Sequence, residues 1–499
     1  MKNALNLALL ALFSFVLILP GAVFLFVPNS ETALSSEPAP FPSFTSTILP
    51  SPEGRKRLSS AIFDRSSVKY DAISLRNTLS YSVIGAIESS EVVSGSPGWL
   101  FYKPEFERWD CSRRAKLDDE LARAETILSM IEAAKANITF VSAPNKASIE
   151  SSQLAGPAAR YAPCYFDFES EFRASLSQYP ATVVIDHAKA LEELGGDAQR
   201  YYKMDTHWTP IGGYAAIAQL RASLPEVFFG KIPAIKSQEP AKRRTDLGNI
   251  MLRFRALEPS MDLVLEETAS AGSGAGVLIV HDSFYGIVAA QLKSAFPAVT
   301  LAKLNGQSPP DADTLRNFDH IVVESVERQF LTRMNVPWTG PDSLTFGWGS
   351  PLGDLILDQS QLLAEQCNWE EAVNIMESEE SRARALGMEF ISASAVRTIA
   401  DPRIMFRLPS VRGRMVCLEA EFSHPTATRT QLYFERETPG DGRSMFAEPQ
   451  SVFREVHPGR SRVAWIMPQS ALGRMARFDP VQSGDFELNS LRYAYGADH

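Results

Sequence analysis

Apolar positions divide the chain into four textures. Residues 7–27 are uncharged and mostly apolar without interruption, long enough to cross a bilayer as a helix. They predict a membrane anchor over 1–28, with Ala33-Leu34-Ser35 as the cleavage point if the segment is instead a removable signal. Residues 29–58 are rich in Pro, Ser and Thr with little to bury, and are expected to form a flexible stalk. A third texture begins at residue 59. Helical periodicity over 59–90 leads to the strand-like Gly98-Trp99-Leu100-Phe101-Tyr102, a helix over 114–137, an apolar strand over 138–142, the polar turn Pro144-Asn145-Lys146 and a strand over 182–185. The alternation resumes with strands at 276–280, 300–304 and 321–324 and a helical stretch over 284–296. This is the βαβ rhythm of a parallel sheet.

Past an acidic helical segment around 355–385, the pattern shortens to alternating strands at 404–408, 415–422, 431–435, 462–466 and 486–493. Close-set turn residues between them predict an antiparallel β-sandwich. The expected organisation is an α/β domain over 59–345, a helical connector over 346–384 and a β-sandwich over 385–499. A chain of 499 residues exceeds one ordinary core, which agrees with more than one domain.

The balance of 49 Lys+Arg against 59 Asp+Glu, a net charge of −10 without long basic runs, argues against nucleic acid as a partner. Lys2 is the only charge before the apolar run. By the positive-inside rule it stays in the cytoplasm and the bulk of the chain lies outside the cytoplasm. Cysteine usage fits that compartment. Cys111 and Cys164 fall in one half of the chain, Cys367 and Cys417 in the other, so two intradomain disulfides are the economical pairing; four buried thiols are the alternative. Neither pair has the close spacing of a zinc site, and no metal or cofactor is expected.

Two short stretches carry candidate chemistry. Ser283 stands at the carboxyl end of the strand 276–280 and heads a helix, a place where open α/β sheets bind ligands. The structural alternative is that Ser283 only caps that helix. Asp205-Thr206-His207 lies just before a second helix start, with Thr209 as N-cap and Pro210 as first helical residue. An Asp two residues from a His can orient the ring while the other nitrogen faces a serine. A polar surface loop is the alternative there. His187, after Asp186, is read as a structural histidine.

These residues resemble the AlgJ/AlgX-type alginate O-acetyltransferase family, whose catalytic domain is SGNH-hydrolase-like. The matching pieces are Gly98-Trp99-Leu100-Phe101, Pro144-Asn145-Lys146-Ala147, Asp205-Thr206-His207-Trp208-Thr209-Pro210, Asp246-Leu247-Gly248, Val280-His281-Asp282-Ser283-Phe284 and Val326-Glu327-Arg328, in the family's order. The resemblance implies a triad of Asp205, His207 and Ser283, with Trp208, Arg328, Tyr285 and Asn145 as expected substrate-binding residues. For Trp208 a packing role, and for Arg328 an ion pair holding a loop, are the alternatives. His281 departs from the family pattern, which has Gly before the Asp-Ser, and puts the geometry of the nucleophile turn in question.

The resemblance further implies an extracytoplasmic polysaccharide O-acetyltransferase working through a serine acyl-enzyme. Its acceptor would be a polysaccharide, and a membrane-bound O-acyltransferase would supply the acetyl groups. A carbohydrate acetyl esterase and a non-catalytic glycan-binding subunit are the rival readings. Arg477-Phe478-Asp479-Pro480, with Gly484 and residues 488–491, resembles a β-sandwich module of polysaccharide-assembly proteins. Phe434, Trp465 and Tyr493 are then either glycan-facing aromatics or core.

Overall fold

The computed structural model describes residues 89–499 and a few isolated positions before them, leaving aside 196–197, 229–231, 253–256, 267–275, 305–311, 336–348, 365–366, 380, 382, 392–394, 409–414, 436–445, 447–450, 469–474, 483 and 496–499. The expected anchor, stalk and 59–90 helical stretch therefore lie outside the described residues, isolated positions apart. No helix among the described residues is long and apolar enough to cross a membrane.

The α/β unit opens with a small antiparallel hairpin, β1 (Val92–Ser94) and β2 (Leu100–Tyr102). Strands β3 (Ile138–Ala143) and β4 (Val184–Asp186) belong to the main sheet, and β5 (Ile235–Arg244) with β6 (Leu257–Leu265) makes a separate antiparallel hairpin. The main sheet is completed by β7 (Val277–His281), β8 (Thr300–Lys303) and β9 (His320–Val326), in the order β4-β3-β9-β7-β8. All four pairings are parallel. Every residue of β3, β7 and β9 is buried, as a sheet covered on both faces requires. Helices Arg114–Ala133 and Ala162–Leu176 supply one apolar layer, and Pro210–Ser223 with Ala289–Ala295 the other. The expected helix over 284–296 is two, Ser283–Ile287 and Ala289–Ala295, broken at Val288.

Among the described residues the C-terminal unit is one antiparallel nine-stranded sheet that folds over on itself. Its hinge is the long strand Ala395–Arg407, which pairs at its start with Phe486–Tyr495 and at its end with Met475–Asp479. A strand that changes partners along its length joins two packed layers. The unit begins earlier than residue 385, because Val373–Asn374 already pairs with Arg492 and Tyr493. Phe434, Trp465 and Tyr493 are all buried in its core, so they offer no face to a glycan. Partly exposed aromatics include Tyr433 and Phe453, each with a guanidinium over its ring, from Arg477 and Arg429.

One apolar cluster runs from the α/β unit into the C-terminal sheet. Helix Gly349–Ala364 lies at this junction, its Ser360 hydroxyl accepting the Ile466 N–H at 3.0 Å. Both disulfides are present as paired in sequence: Cys111–Cys164, with Cα atoms 5.2 Å apart, and Cys367–Cys417, at 6.5 Å. The second ties the connector to the C-terminal sheet.

Candidate active site

Four loops meet at the carboxyl ends of the parallel strands. Asn145 and Lys146 follow β3, His187 follows β4, Asp282 and Ser283 follow β7, and Glu327 and Arg328 follow β9. The Asp205–His207 loop is laid across this end by the helix that begins at Pro210. As the sequence predicts, Thr209 is the N-cap, its hydroxyl accepting the Gly212 N–H at 3.3 Å, and Pro210 fills the first turn. Two glycines then let the helix press inward. A Cβ on Gly213 would lie 2.3 Å from a Val288 methyl carbon and 3.1 Å from Trp208 Nε1, which leaves room for no side chain.

Within the loop, Asp205 is buried, and its Oδ1 lies 2.6 Å from His207 Nδ1. The same oxygen accepts the His207 backbone N–H at 3.0 Å, and Oδ2 accepts the Asp246 N–H at 3.0 Å. Burial raises the Asp205 carboxyl, but the hydrogen bond and charge of His207, with those two N–H groups, outweigh it and hold the group below its usual range. It is an ionised acceptor, which fixes the proton of the imidazole on Nδ1. The other ring nitrogen, Nε2, is buried and makes no hydrogen bond among the described residues.

Ser283 is exposed at the first position of its helix. Its neighbour Phe284 joins the two motifs: the ring packs 5.0 Å from the His207 ring, and the carbonyl accepts Trp208 Nε1–H at 3.1 Å. The Ser283 hydroxyl does not reach His207 Nε2 as a hydrogen-bond partner here. Nor is it the helix cap. That role belongs to Asp282, whose Oδ1 accepts the Phe284 N–H at 2.8 Å while Oδ2 accepts the Val326 N–H at 2.7 Å. The structural explanation for Ser283 is thereby removed. The His281 departure also costs nothing, since the only described non-glycine residue with positive φ is Lys135.

The expected substrate-binding residues divide. Trp208, Tyr285 and Asn145 are fully buried, which corrects the expectation that they touch substrate. Trp208 bonds to Phe284, Tyr285 to His187 Nε2 at 2.7 Å, and the Asn145 amide donates to Tyr165 at 3.0 Å and accepts from Arg328 at 3.1 Å. Arg328 alone is partly exposed, with its guanidinium over the rings of Tyr102 and Phe284. His187 is buried and bonded at both nitrogens, to Gln219 and Tyr285.

Three groups in the site carry no role in the sequence reading. Asp246 follows β5 and brings a second carboxylate to the imidazole, Oδ2 lying 3.6 Å from His207 Nδ1. Asp205, His207 and Asp246 each place a potential metal ligand within 4.8 Å of the others. A cation held through Nδ1 would displace Asp205 from that nitrogen and break the pair. Glu327 accepts the Asn145 N–H at 2.8 Å and the Ser148 hydroxyl at 2.6 Å, and burial pushes its carboxyl up to about 8. Lys146, fully buried, donates to the carbonyls of Tyr202, Lys203 and Asp205, each at 2.9 Å. Asp-Leu-Gly, Asn-Lys-Ala and Val-Glu-Arg, visible in the sequence as motifs, were the available signal.

Residues 92–276 match the family described as the SGNH hydrolase-like domain of acetyltransferase AlgX. This stretch is similar to the AlgX-type SGNH hydrolase-like domain. A curated relative, the probable alginate O-acetylase AlgJ of Pseudomonas aeruginosa, is 26% identical over 177 residues, 35% of this chain and 43% of the relative. The chain thus spans less than half the length of that relative. Among solved structures, the O-acetyltransferase domain of Pseudomonas putida AlgJ is 24% identical, with 48% of this chain and 92% of that one covered at a TM-score of 0.36. Pseudomonas aeruginosa AlgX is 12% identical, covering 81% of this chain and 94% of that one at a TM-score of 0.35.

Proposed function

We propose that this chain is an extracytoplasmic polysaccharide O-acetyltransferase in which Ser283 is the nucleophile, His207 the general base and Asp205 the group that orients and balances the imidazole. The observation that carries the reading is an imidazole held at Nδ1 by a buried carboxylate, with Nε2 unpaired and the ring packed on the residue after an exposed serine. The AlgX-type domain and the name of the AlgJ relative support acetyl transfer as the reaction.

In this reading the Ser283 hydroxyl attacks the carbonyl carbon of an acetyl donor as its proton passes to His207 Nε2, and the imidazolium returns that proton to the leaving group. A sugar hydroxyl then attacks the acyl-serine, giving its proton to Nε2. The new ester forms, the acyl–Oγ bond breaks, and Ser283 recovers its proton. Apo geometry in which Oγ and Nε2 are not yet bonded is compatible with this, since such bonds tighten when substrate is bound.

Residues 7–27 would hold the domain at the outer face of the inner membrane, with the bulk of the chain in the periplasm. Acetyl-CoA is cytoplasmic, so a membrane-bound O-acyltransferase would deliver the acetyl group, and the tether would raise the effective concentration of the two partners.

The test is mass spectrometry of the purified periplasmic part after incubation with an activated acetyl ester. One acetyl group should appear on the peptide carrying Ser283, be absent in Ser283→Ala, and be discharged onto an added oligosaccharide. An adduct that persists in Ser283→Ala sinks the mechanism, and discharge to water alone favours the esterase.

A further inference from the structure

The loop that carries Asp205 and His207 is short and polar, and it must hold a carboxylate and an imidazole in one geometry. Part of that task falls to its own contacts: the Tyr201–Trp208 bridge, the Tyr202 N–H on the His207 carbonyl at 3.3 Å, and the Asp246 carboxylate accepting the Thr206 N–H at 2.8 Å. The Glu258 carboxylate accepts the Lys203 and Met204 N–H groups at 2.6 and 2.9 Å, and on the inner side of the turn the carbonyls of Tyr202, Lys203 and Asp205 converge on one side chain, that of Lys203 also accepting the Leu100 N–H at 2.9 Å. Three converging carbonyls pointing into a buried space would be costly unless paired.

We propose that Lys146 is a positioning residue for the reaction proposed above, its ammonium holding those three carbonyls and so setting the direction in which Asp205 presents its carboxylate to His207. The ammonium has three donors, and each meets one of these carbonyls at 2.9 Å, so its hydrogen-bonding capacity is filled. The side chain is 1% exposed and its charge lies over the rings of Trp99 and Phe101, 5.5 and 5.2 Å from their centroids. Those rings come from the Gly-Trp-Leu-Phe segment and Lys146 from the Asn-Lys-Ala segment, so motifs far apart in the chain meet at one group. The buried carboxyl of Glu105, which accepts the Ala147 N–H, is the opposite charge that acts most strongly on Lys146, ahead of Asp246, Glu258 and Asp205. Burial lowers Lys146 to about 8 against these charges, which leaves it cationic at neutral pH. The ammonium touches neither His207 nor Ser283 through any described bond, so it acts through the loop.

The test compares the full chain as wild type, Lys146→Met and Lys146→Gln. The two readouts are the rate of Ser283 acylation by an activated acetyl ester and the far-downfield proton resonance of the short Nδ1–H bond between His207 and Asp205. Lys146→Met should remain folded, acylate about a hundredfold more slowly with KM nearly unchanged, and lose or shift the resonance, since a displacement of about 1 Å costs that much. A folded Lys146→Met protein with wild-type acylation and an unmoved resonance overturns the proposal. Should Lys146→Met fail to fold, Lys146→Gln decides: a slowed rate with a shifted resonance supports the role, and wild-type values for both refute it. The resonance needs no turnover. A wild type that forms no Ser283 adduct, yet whose resonance still responds to Lys146, would therefore sink the proposed function and leave the positioning role standing.

Discussion

His187 and His207 invite comparison, because each closely follows an aspartate, each stands at the carboxyl end of the parallel sheet, and both belong to one aromatic cluster with Trp208 and Phe284. Their environments are opposite. His187 is wholly enclosed; one nitrogen meets the Gln219 amide oxygen and the other the Tyr285 hydroxyl, and burial pushes it down to about 4. His207 keeps 14% of its side chain exposed, has one nitrogen on a buried carboxylate, and leaves the other free. The neighbouring Asp186 gives His187 nothing, since its carboxylate turns to the Ala188 N–H at 3.0 Å. An adjacent acid in sequence is therefore a poor guide to a working imidazole. What separates the two is whether a nitrogen is left for chemistry.

The comparison breaks most sharply if the working imidazole can be lost without effect. His207→Ala is expected to lower acetyl transfer by roughly 10^6-fold, as removal of a base that acts as one unit with its nucleophile does. The purified variant, assayed with an activated acetyl ester and an oligosaccharide acceptor, should retain the fold of the wild type. Activity within tenfold of wild type would return the loop to a structural role.

A smaller loss is expected of Asp205→Asn. Where no second acid is present, such a change costs about 10^4-fold in kcat. Here Asp246 Oδ2 stands 3.6 Å from the same ring nitrogen and can take over part of the orientation. The single variant should therefore lose less than that, Asp246→Asn alone should lose little, and the double variant should lose more than the product of the two. Additive losses in this cycle would show that Asp246 does not back up Asp205.

Much of the catalytic end was legible because local rules placed it. The buried runs of β3, β7 and β9, the Thr209 cap and Pro210 all follow from periodicity and helix-start chemistry. The β5–β6 hairpin was not legible: Ile235–Arg244 is exposed along most of its length and contains a proline, so no alternation marks it as strand. The role of Asp246, visible only as part of a motif, is hidden with it, since the hairpin is what carries that residue to His207. Lys146 sits in the Asn-Lys-Ala motif with nothing local to mark its role, because its partners lie 56 to 59 residues away and no spacing rule links a lysine to three carbonyls. Ser283 reads as a possible cap because serine caps well; nothing local says that Asp282 takes the position by also binding the β9 end at Val326. Trp208, Tyr285 and Asn145 point to substrate by their place in or beside motifs, whereas burial decides their use.

The finest distinction between the two histidines concerns acid. Activity in His187→Gln should stay within a few-fold of wild type, because no bond from His187 reaches Asp205, His207 or Ser283. Stability should change instead. The folded protein holds His187 neutral, lowered from 6.5 to about 4, so below pH 6.5 the unfolded chain takes up the proton first. The stability owed to the neutral form is complete above pH 6.5 and is lost as pH falls toward 4, by about 3 kcal/mol at about 1.4 kcal/mol for each pH unit. Glutamine carries no such proton. At pH 8 the variant should be less stable by about 1–2 kcal/mol, for bonds made less well, and the gap should narrow or reverse as pH falls from 6.5 to 4. His320, lowered to about 4 by burial at the opposite end of the sheet, contributes the same trend to both proteins and cancels in the difference. Chemical denaturation of wild type and variant across that range reads the gap directly. Curves that stay parallel would mean that His187 is not held neutral in the fold, and the contrast with His207 would then rest on geometry alone.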